Sequence, residues 1–483
     1  MKNKHPSPST FPEVRVVEAS AGSGKTYALA MRYLQLLLDG KSRPEDMRGI
    51  LAVTFTNAAA REMKERILEF LTKIALDAFR DKDEKAAIVS SLSTRGAAAG
   101  KKARALLDYI VRNYSYFQVQ TIDSFVNLLL SGCASELQLS AGFSIRKDPG
   151  DCLAYGLDEC VENAGLDARV KALFEKFLHR YIHIENRGGW FPKGDVFSTV
   201  KALYARSNIY GLDFEESGLD AKGLLSRRKS LRSLMAALLD GCPDGVIKAF
   251  RNSLERVLTR NPVGIDLAAL GNFFLRDEFP MKKSHAAPDK IVALWSRMRK
   301  ELETLARDEA RSAFDCYIGI FSEVIARFRR VARRKDLVFL GELNRLAAGL
   351  FGDGLVGVSE IYFRLACQFN HFMIDEFQDT SALQWHNLEE MVREALSRGG
   401  SLYYVGDKKQ AIYRFRGGEV ELFDRAPHYF ANAPMHSSRL SVNYRSRRQI
   451  VEFNNEVFSK ENLERFLDFL QPEDGADRKS LSP

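Results

Sequence analysis

The sequence predicts an α/β fold, a parallel sheet that binds phosphate at its strand ends and is interrupted by a large helical insertion. Three observations predict it. The β-branched run Val14-Arg15-Val16-Val17 breaks into a turn of small residues, Ala19 to Gly24, which opens directly into a helix. Apolar runs of strand length alternate with 3.6-residue periodicity through the first 130 or so residues, the pattern of successive βαβ units. Strand character then lapses over residues 148–357 and returns at Phe369.

Composition narrows the class. The chain has 483 residues, 45% of them hydrophobic, enough for several buried cores and too apolar for a disordered chain. Six cysteines, Cys133, Cys152, Cys160, Cys242, Cys316 and Cys367, show no C-x-x-C spacing, which argues against a disulfide scaffold or metal cluster and fits a reducing compartment. Neither a signal peptide nor an apolar run of bilayer length is present, so a soluble, cytoplasmic protein with no membrane partner is expected. The net charge is +8, and residues 222–335 hold 24 Lys/Arg against 13 Asp/Glu, more than the whole excess. Such a balance points to a polyanionic partner.

The turn Ala19-Ser20-Ala21-Gly22-Ser23-Gly24-Lys25-Thr26 reads as a phosphate cradle. Around Ala21, Gly22, Ser23 and Gly24 successive backbone N–H groups can turn toward an anion, Lys25 can reach β- and γ-phosphates, and Thr26 can hold Mg²⁺. The common pattern G-x-x-x-x-G-K-[ST] has Gly where this chain has Ala19. The helix that follows, Tyr27 to Leu38, carries an apolar stripe that seats it on the sheet.

A second buried strand, Gly49 to Asn57, ends in polar residues, and a helix runs from Ala58 to about Ala78. The segment from Asp81 to Lys102 reads as an exposed excursion before a helix from Ala103 to Asn113. A third strand, Phe117 to Phe125, delivers hydroxyls at Thr121 and Ser124; Asp123 and Ser124 read equally as helix caps. In the helical insertion, the run Arg327 to Lys335 is either a solvated face or a track for backbone phosphates.

The returning strand, Phe369 to Ile374, ends in Asp375-Glu376. Beside a phosphate cradle, Asp375 suits Mg²⁺ and Glu376 suits polarisation of an attacking water. A helix from Gln384 to Leu396 and a strand from Ser401 to Val405 lead to Gln410, placed to sense a γ-phosphate. Ala411 to Gly418 interleaves Tyr413 and Phe415 with arginines, the composition of a single-strand stacking platform; ordinary packing is the alternative for Tyr413. Leu440 to Ser446 reads as a strand opening a new unit, with Arg445 at a helix entrance.

Assembled, these stretches resemble the N-terminal half of superfamily 1 helicases of the UvrD/Rep type, in the RecB/AddA-like branch. The resemblance rests on A-S-A-G-S-G-K-T at 19–26, V-T-F-T-N-A-A-A-R-E-M at 53–63, T-I-D-S-F at 121–125, I-D-E-F-Q-D-T-S at 374–381, V-G-D-K-K-Q-A-I-Y-R-F-R-G at 405–417 and N-Y-R-S at 443–446. It implies a RecA-like P-loop domain in two parts, 1–147 and 358–435, a helical DNA-facing domain at 148–357, and the beginning of a second RecA-like domain at 436–483. It implies 3′-to-5′ movement on single-stranded DNA driven by ATP and Mg²⁺, action on tailed duplexes in DNA repair or recombination, and a nuclease or helicase partner subunit. Lys25, Asp375, Glu376, Gln410 and Arg445 take the catalytic roles, Arg445 as a γ-phosphate arginine. Tyr444 lies near the adenine, and Thr54, Phe55, Asn57, Thr121, Ser124, Tyr413 and Phe415 face DNA.

The chain departs from the family pattern at Asp123, where many relatives have His, at Ala58, where many have Lys, and in lacking an adenine-reading Gln motif before the cradle. Later family motifs and a nuclease segment do not follow 443–446, so the chain is expected to be an N-terminal fragment with little hydrolysis of its own. Two readings follow: the ATP-binding half of a DNA motor, or a DNA-binding module switched by nucleotide. A downstream continuation carrying the later motifs distinguishes them.

Overall fold

The computed structural model describes residues 11–469 apart from 40, 95, 136–138, 141, 184–191, 220, 261–264, 266, 268–269, 283–284, 351–367 and 431. The expected boundary at 357/358, the residue Cys367 and the polar tail lie outside the described residues. The chain divides into two compact units, one of residues 1–145, 208–211 and 338–483, the other of residues 146–207 and 212–337.

The first unit is built on a parallel sheet of six strands: β1 (Glu13–Ala19), β2 (Ile50–Thr54), β3 (Val119–Thr121), β4 (His371–Ile374), β5 (Ser401–Gly406) and β6 (Met435–Leu440), in the order β3-β2-β4-β5-β1-β6. Strands β2 and β5 are buried along their whole length, as parallel strands covered on both faces must be. The alternation of side chains divides the core in two. Phe372, Ile374, Leu402 and Tyr404 point to one face with Phe377, Trp385 and Leu388, whereas Met373, Tyr403 and Val405 point to the other with Leu29, Tyr33 and Phe70. On this second face lie α1 (Lys25–Leu37) and α2 (Asn57–Leu76).

Four expectations need correction. The segment 81–102 is not a bare excursion: it contains α3 (Lys82–Ser90) and the start of α4 (Gly96–Arg112), and Ile88, Leu92 and Ala99 enter the core. The third strand is three residues long, because the Thr121 hydroxyl accepts the Ser124 N–H and starts α5 (Ile122–Gly132) there. Residues 436–440, assigned to a second lobe, lie in the first sheet, with Val14 to Ala19 of β1 in register with Met435 to Leu440 of β6. Residues 338–350 of the expected insertion belong to the first unit, so among the described residues the helical unit ends at Leu337.

The helical unit is organised by one 46-residue helix, Asp289–Arg334. Its first half closes a core with the helices Ala221–Asp240 and Lys248–Arg260 around Phe250, Phe274, Phe279 and Trp295. Its second half packs against Gly150–Asn163, where a Cβ on Gly156 would lie 3.0 Å from the Val324 carbonyl oxygen. Three of the six basic residues in this run are paired within the unit: Arg327 with Glu323, Arg329 with Asp213 and Arg330 with Glu159. The Arg329 and Arg330 side chains remain exposed in these pairs. Among the described residues no helix is long and apolar enough to cross a membrane, and no cluster of metal-ligating side chains stands apart.

Candidate nucleotide-binding and hydrolysis site

Strands β4, β5 and β1 are neighbours, so the loops leaving their carboxyl ends converge, the edge where open α/β sheets bind ligands. The loop after β1 turns tightly, with Ser23 N–H and Oγ both donating to the Ser20 carbonyl at 3.1 and 2.7 Å. Gly22 (φ 70°) and Gly24 (φ 91°) take the left-handed backbone that this turn requires. Helix α1 begins with no side-chain cap and no acidic residue in its first turn, and Ala28 N–H to the Gly24 carbonyl is its first intrahelical bond. The amides ahead of that bond, together with the helix dipole, make an anion site.

Lys25 Nζ projects from this helix start and donates to Glu376 Oε2 at 2.6 Å and to Gln410 Oε1 at 3.3 Å. Its side chain is only 12% exposed. The contacts continue into a closed ring. Gln410 Nε2 donates to Asp407 Oδ2 at 2.7 Å, Asp407 N–H to Gln378 Oε1 at 2.9 Å, and Gln378 Nε2 back to Glu376 Oε2 at 2.9 Å. A carboxylate on Lys25 occupies the kind of position a phosphate oxygen takes. Asp375 is buried beside this ring, with its Oδ1 accepting the Glu376 N–H at 3.0 Å. Burial and then the Glu376 charge push its carboxyl up to about 7, against the pull of Lys25. No ion pair to Asp375 is present among the described residues. A buried acid short of countercharge at a strand end is a donor that fits a hard divalent cation, and Thr26 at the start of α1 carries a hydroxyl of the kind that completes such a set.

The turn after β6 arrives at the same place. Asn443 Oδ1 accepts the N–H groups of Arg445 and Ser446 at 2.8 and 3.0 Å, and Tyr444 N–H donates to the Gly22 carbonyl at 2.8 Å. A Cβ on Gly22 would lie 2.7 Å from Arg445 Cβ and from Asn443 Oδ1, so only glycine admits this approach. Arg445 therefore reaches the cradle from the first sheet, through β6 beside β1, and not from a separate lobe. Tyr27, not among the residues expected at the site, packs edge-to-face on Phe70 at 5.3 Å. Its hydroxyl is pushed up by burial, then by the charges of Glu84 and Tyr444. An aromatic residue directly after Thr26 was the available signal. Gln378 and Asn443 were also missed, although both lie inside the motifs that carry the resemblance.

Of the residues expected to face DNA, three form one aromatic group, with Phe55 and Tyr413 half-buried and Phe415 exposed. The Phe55 and Tyr413 rings lie 4.4 Å apart, Tyr413 and Phe415 5.9 Å apart, and Arg416 sits over both members of the second pair. Phe415 is 72% exposed. Asn57 is exposed at the start of α2, and Ser124 in the first turn of α5. Thr54 and Thr121 do not fit that expectation. Thr54 is fully buried with its hydroxyl on the Thr56 carbonyl, and the buried Thr121 hydroxyl caps α5, so both support the backbone of the strand ends.

Comparison with known proteins agrees with the resemblance drawn from the motifs. The chain is 26% identical to an ATP-dependent helicase/nuclease subunit of Ligilactobacillus salivarius (strain UCC118), over 92% of this chain and 37% of that protein. It is 24% identical to the RecBCD enzyme subunit RecB of Haemophilus influenzae, over 94% of this chain and 40% of that protein. It is 26% identical to the ATP-dependent helicase/nuclease subunit of the same name in Lysinibacillus sphaericus, over 97% of this chain and 40% of that protein. The chain thus spans about two fifths of the length of these relatives. A family model for the UvrD/REP helicase N-terminal domain matches residues 3–431, and the chain belongs to that family.

Proposed function

We propose that this chain binds and hydrolyses ATP as the nucleotide-binding part of a DNA motor that moves 3′ to 5′ on single-stranded DNA, works on tailed duplexes in repair or recombination, and assembles with a partner nuclease or helicase subunit. The observation that carries the reading is the meeting of Lys25, Glu376 and Gln410 at the open start of α1. Lys25 is placed to exchange the Glu376 carboxylate for a phosphate oxygen, which would free Glu376 to accept a proton from an attacking water. Gln410, bonded to both Lys25 and Asp407, lies where it can follow that exchange. Thr26 and Asp375 would hold Mg²⁺, which when bound supplies positive charge to the β- and γ-phosphate oxygens. Arg445, held over Gly22, would add charge at the same phosphates, and the exposed Tyr444, bonded through its N–H to Gly22, offers aromatic surface for the base. Phe55, Tyr413 and Phe415 offer rings on which successive bases can stack. The names of the relatives, helicase/nuclease subunits, support the DNA substrate and the partner.

The test is single-turnover hydrolysis with saturating single-stranded DNA. Glu376→Gln is expected to keep its affinity for Mg-ATP and to hydrolyse about 10²–10⁴-fold more slowly, the range for loss of a general base. A variant that hydrolyses at the wild-type rate would remove Glu376 from the chemistry.

A further inference from the structure

We propose that Gln378 is a positioning residue: its amide holds Glu376 in place as base and ties it to the loop that carries Gln410. The inference rests on the ATP-hydrolysing reading above. Gln378 is 1% exposed, between the buried Phe377 and Asp379, on the short turn that follows Glu376. A primary amide has one donating and one accepting end, and here the accepting end is fixed by chemistry, because the Asp407 N–H at 2.9 Å can only donate. Nε2 is thereby turned toward Glu376 Oε2 at 2.9 Å, with Asp379 Oδ2 at 3.3 Å.

Two features make this hold necessary. Glu376 has φ 49°, a left-handed backbone that a non-glycine residue keeps only when its surroundings impose it. Its other side-chain partner is Lys25, which cannot serve Glu376 and a phosphate oxygen with the same geometry. Once Lys25 turns to phosphate, Gln378 is the contact that keeps the carboxylate from swinging away. The space for it comes from Gly406, the last residue of β5, where a Cβ would lie 2.4 Å from Gln378 Oε1. Because Gln378 also accepts the Asp407 N–H, and Asp407 accepts from Gln410, one amide sets both the base and the loop.

The experiment measures ATP affinity and single-turnover hydrolysis in the full protein with saturating single-stranded DNA. Gln378→Glu keeps an acceptor for Asp407 but cannot donate to Glu376, and Gln378→Ala removes both contacts. Each is expected to slow hydrolysis about 10–100-fold, the usual loss when a supporting hydrogen bond to a working group is removed, with ATP affinity nearly unchanged. Combined with Glu376→Gln, Gln378→Glu is expected to add no further loss, since it keeps the Asp407 contact and acts only through residue 376. Additive losses, or weakened ATP binding with unchanged hydrolysis, would overturn the inference. Wild-type hydrolysis in Gln378→Glu beside a slow Glu376→Gln contradicts this inference alone; a wild-type protein that neither binds nor hydrolyses ATP contradicts the function itself.

Discussion

Two groups of polar residues sit at opposite ends of the same strands and do different work. At the carboxyl ends, Lys25, Glu376 and Gln410 were legible in the sequence because their chemistry is inseparable from their motifs. Gln378, Tyr27 and Asn443 were not, since their roles arise from neighbours that only the folded chain supplies. At the amino ends, Glu13 is fully buried and paired with Arg15 and Arg32, and His371 Nδ1 lies 2.9 Å from Ser401 Oγ. Burial, then the Arg32 charge, pushes the His371 imidazole down to about 4, with Asp46 opposing. The folded protein thus keeps His371 neutral while the unfolded chain takes a proton near 6.5. The stability this contributes is complete above about pH 6.5 and is lost as pH falls toward 4. Between pH 7.5 and 5 the loss amounts to about 2 kcal/mol. Urea denaturation at those two pH values should show wild type losing more stability than His371→Asn, by that amount; equal losses would mean that His371 titrates normally.

At the scale of elements, strand ends do the positioning. Strands β1, β4 and β5 were readable as buried apolar runs, and their polar termini as sites. Their order in the sheet was not, because nothing local in a parallel strand names its neighbour. The third strand is shorter than its apolar run implies because Thr121 serves both as the last strand residue and as a helix cap. The edge strand β6, Met435–Leu440, is exposed along most of its length and carries little apolar signal, so its place beside β1 could not be read from its side chains. The turn holding Tyr413 and Phe415 is tied to the Asp375–Ser381 segment: Glu419 N–H donates to the Thr380 carbonyl at 3.1 Å, and Gly418 forms an antiparallel bridge with Ser381. With its backbone so held, Phe415 can lose its ring without moving the nucleotide ring of side chains. Phe415→Ala is expected to weaken single-stranded DNA binding by about 1–3 kcal/mol while leaving its salt dependence unchanged. Fluorescence anisotropy at several salt concentrations measures both, and unchanged affinity would return Phe415 to ordinary exposed surface.

At the scale of the whole molecule, the sequence divides its information unevenly. The α/β unit was legible in outline because motif chemistry and hydrophobic period agree there. The helical unit was legible only as helical, and the acidic partners of Arg329 and Arg330, Asp213 and Glu159, lie too far away in sequence to be read from it. The central claim is that three loops on neighbouring strands make one phosphate site with Lys25 at its centre. Isothermal titration with Mg-ATP tests it most directly, comparing wild type with Lys25→Ala. A charged hydrogen bond of this kind contributes roughly 1.5–3 kcal/mol, so the account predicts saturable binding in the wild type and an affinity at least about 10-fold weaker in the variant, with the thermal transition of the free protein preserved. Equal affinity in the two proteins would contradict it.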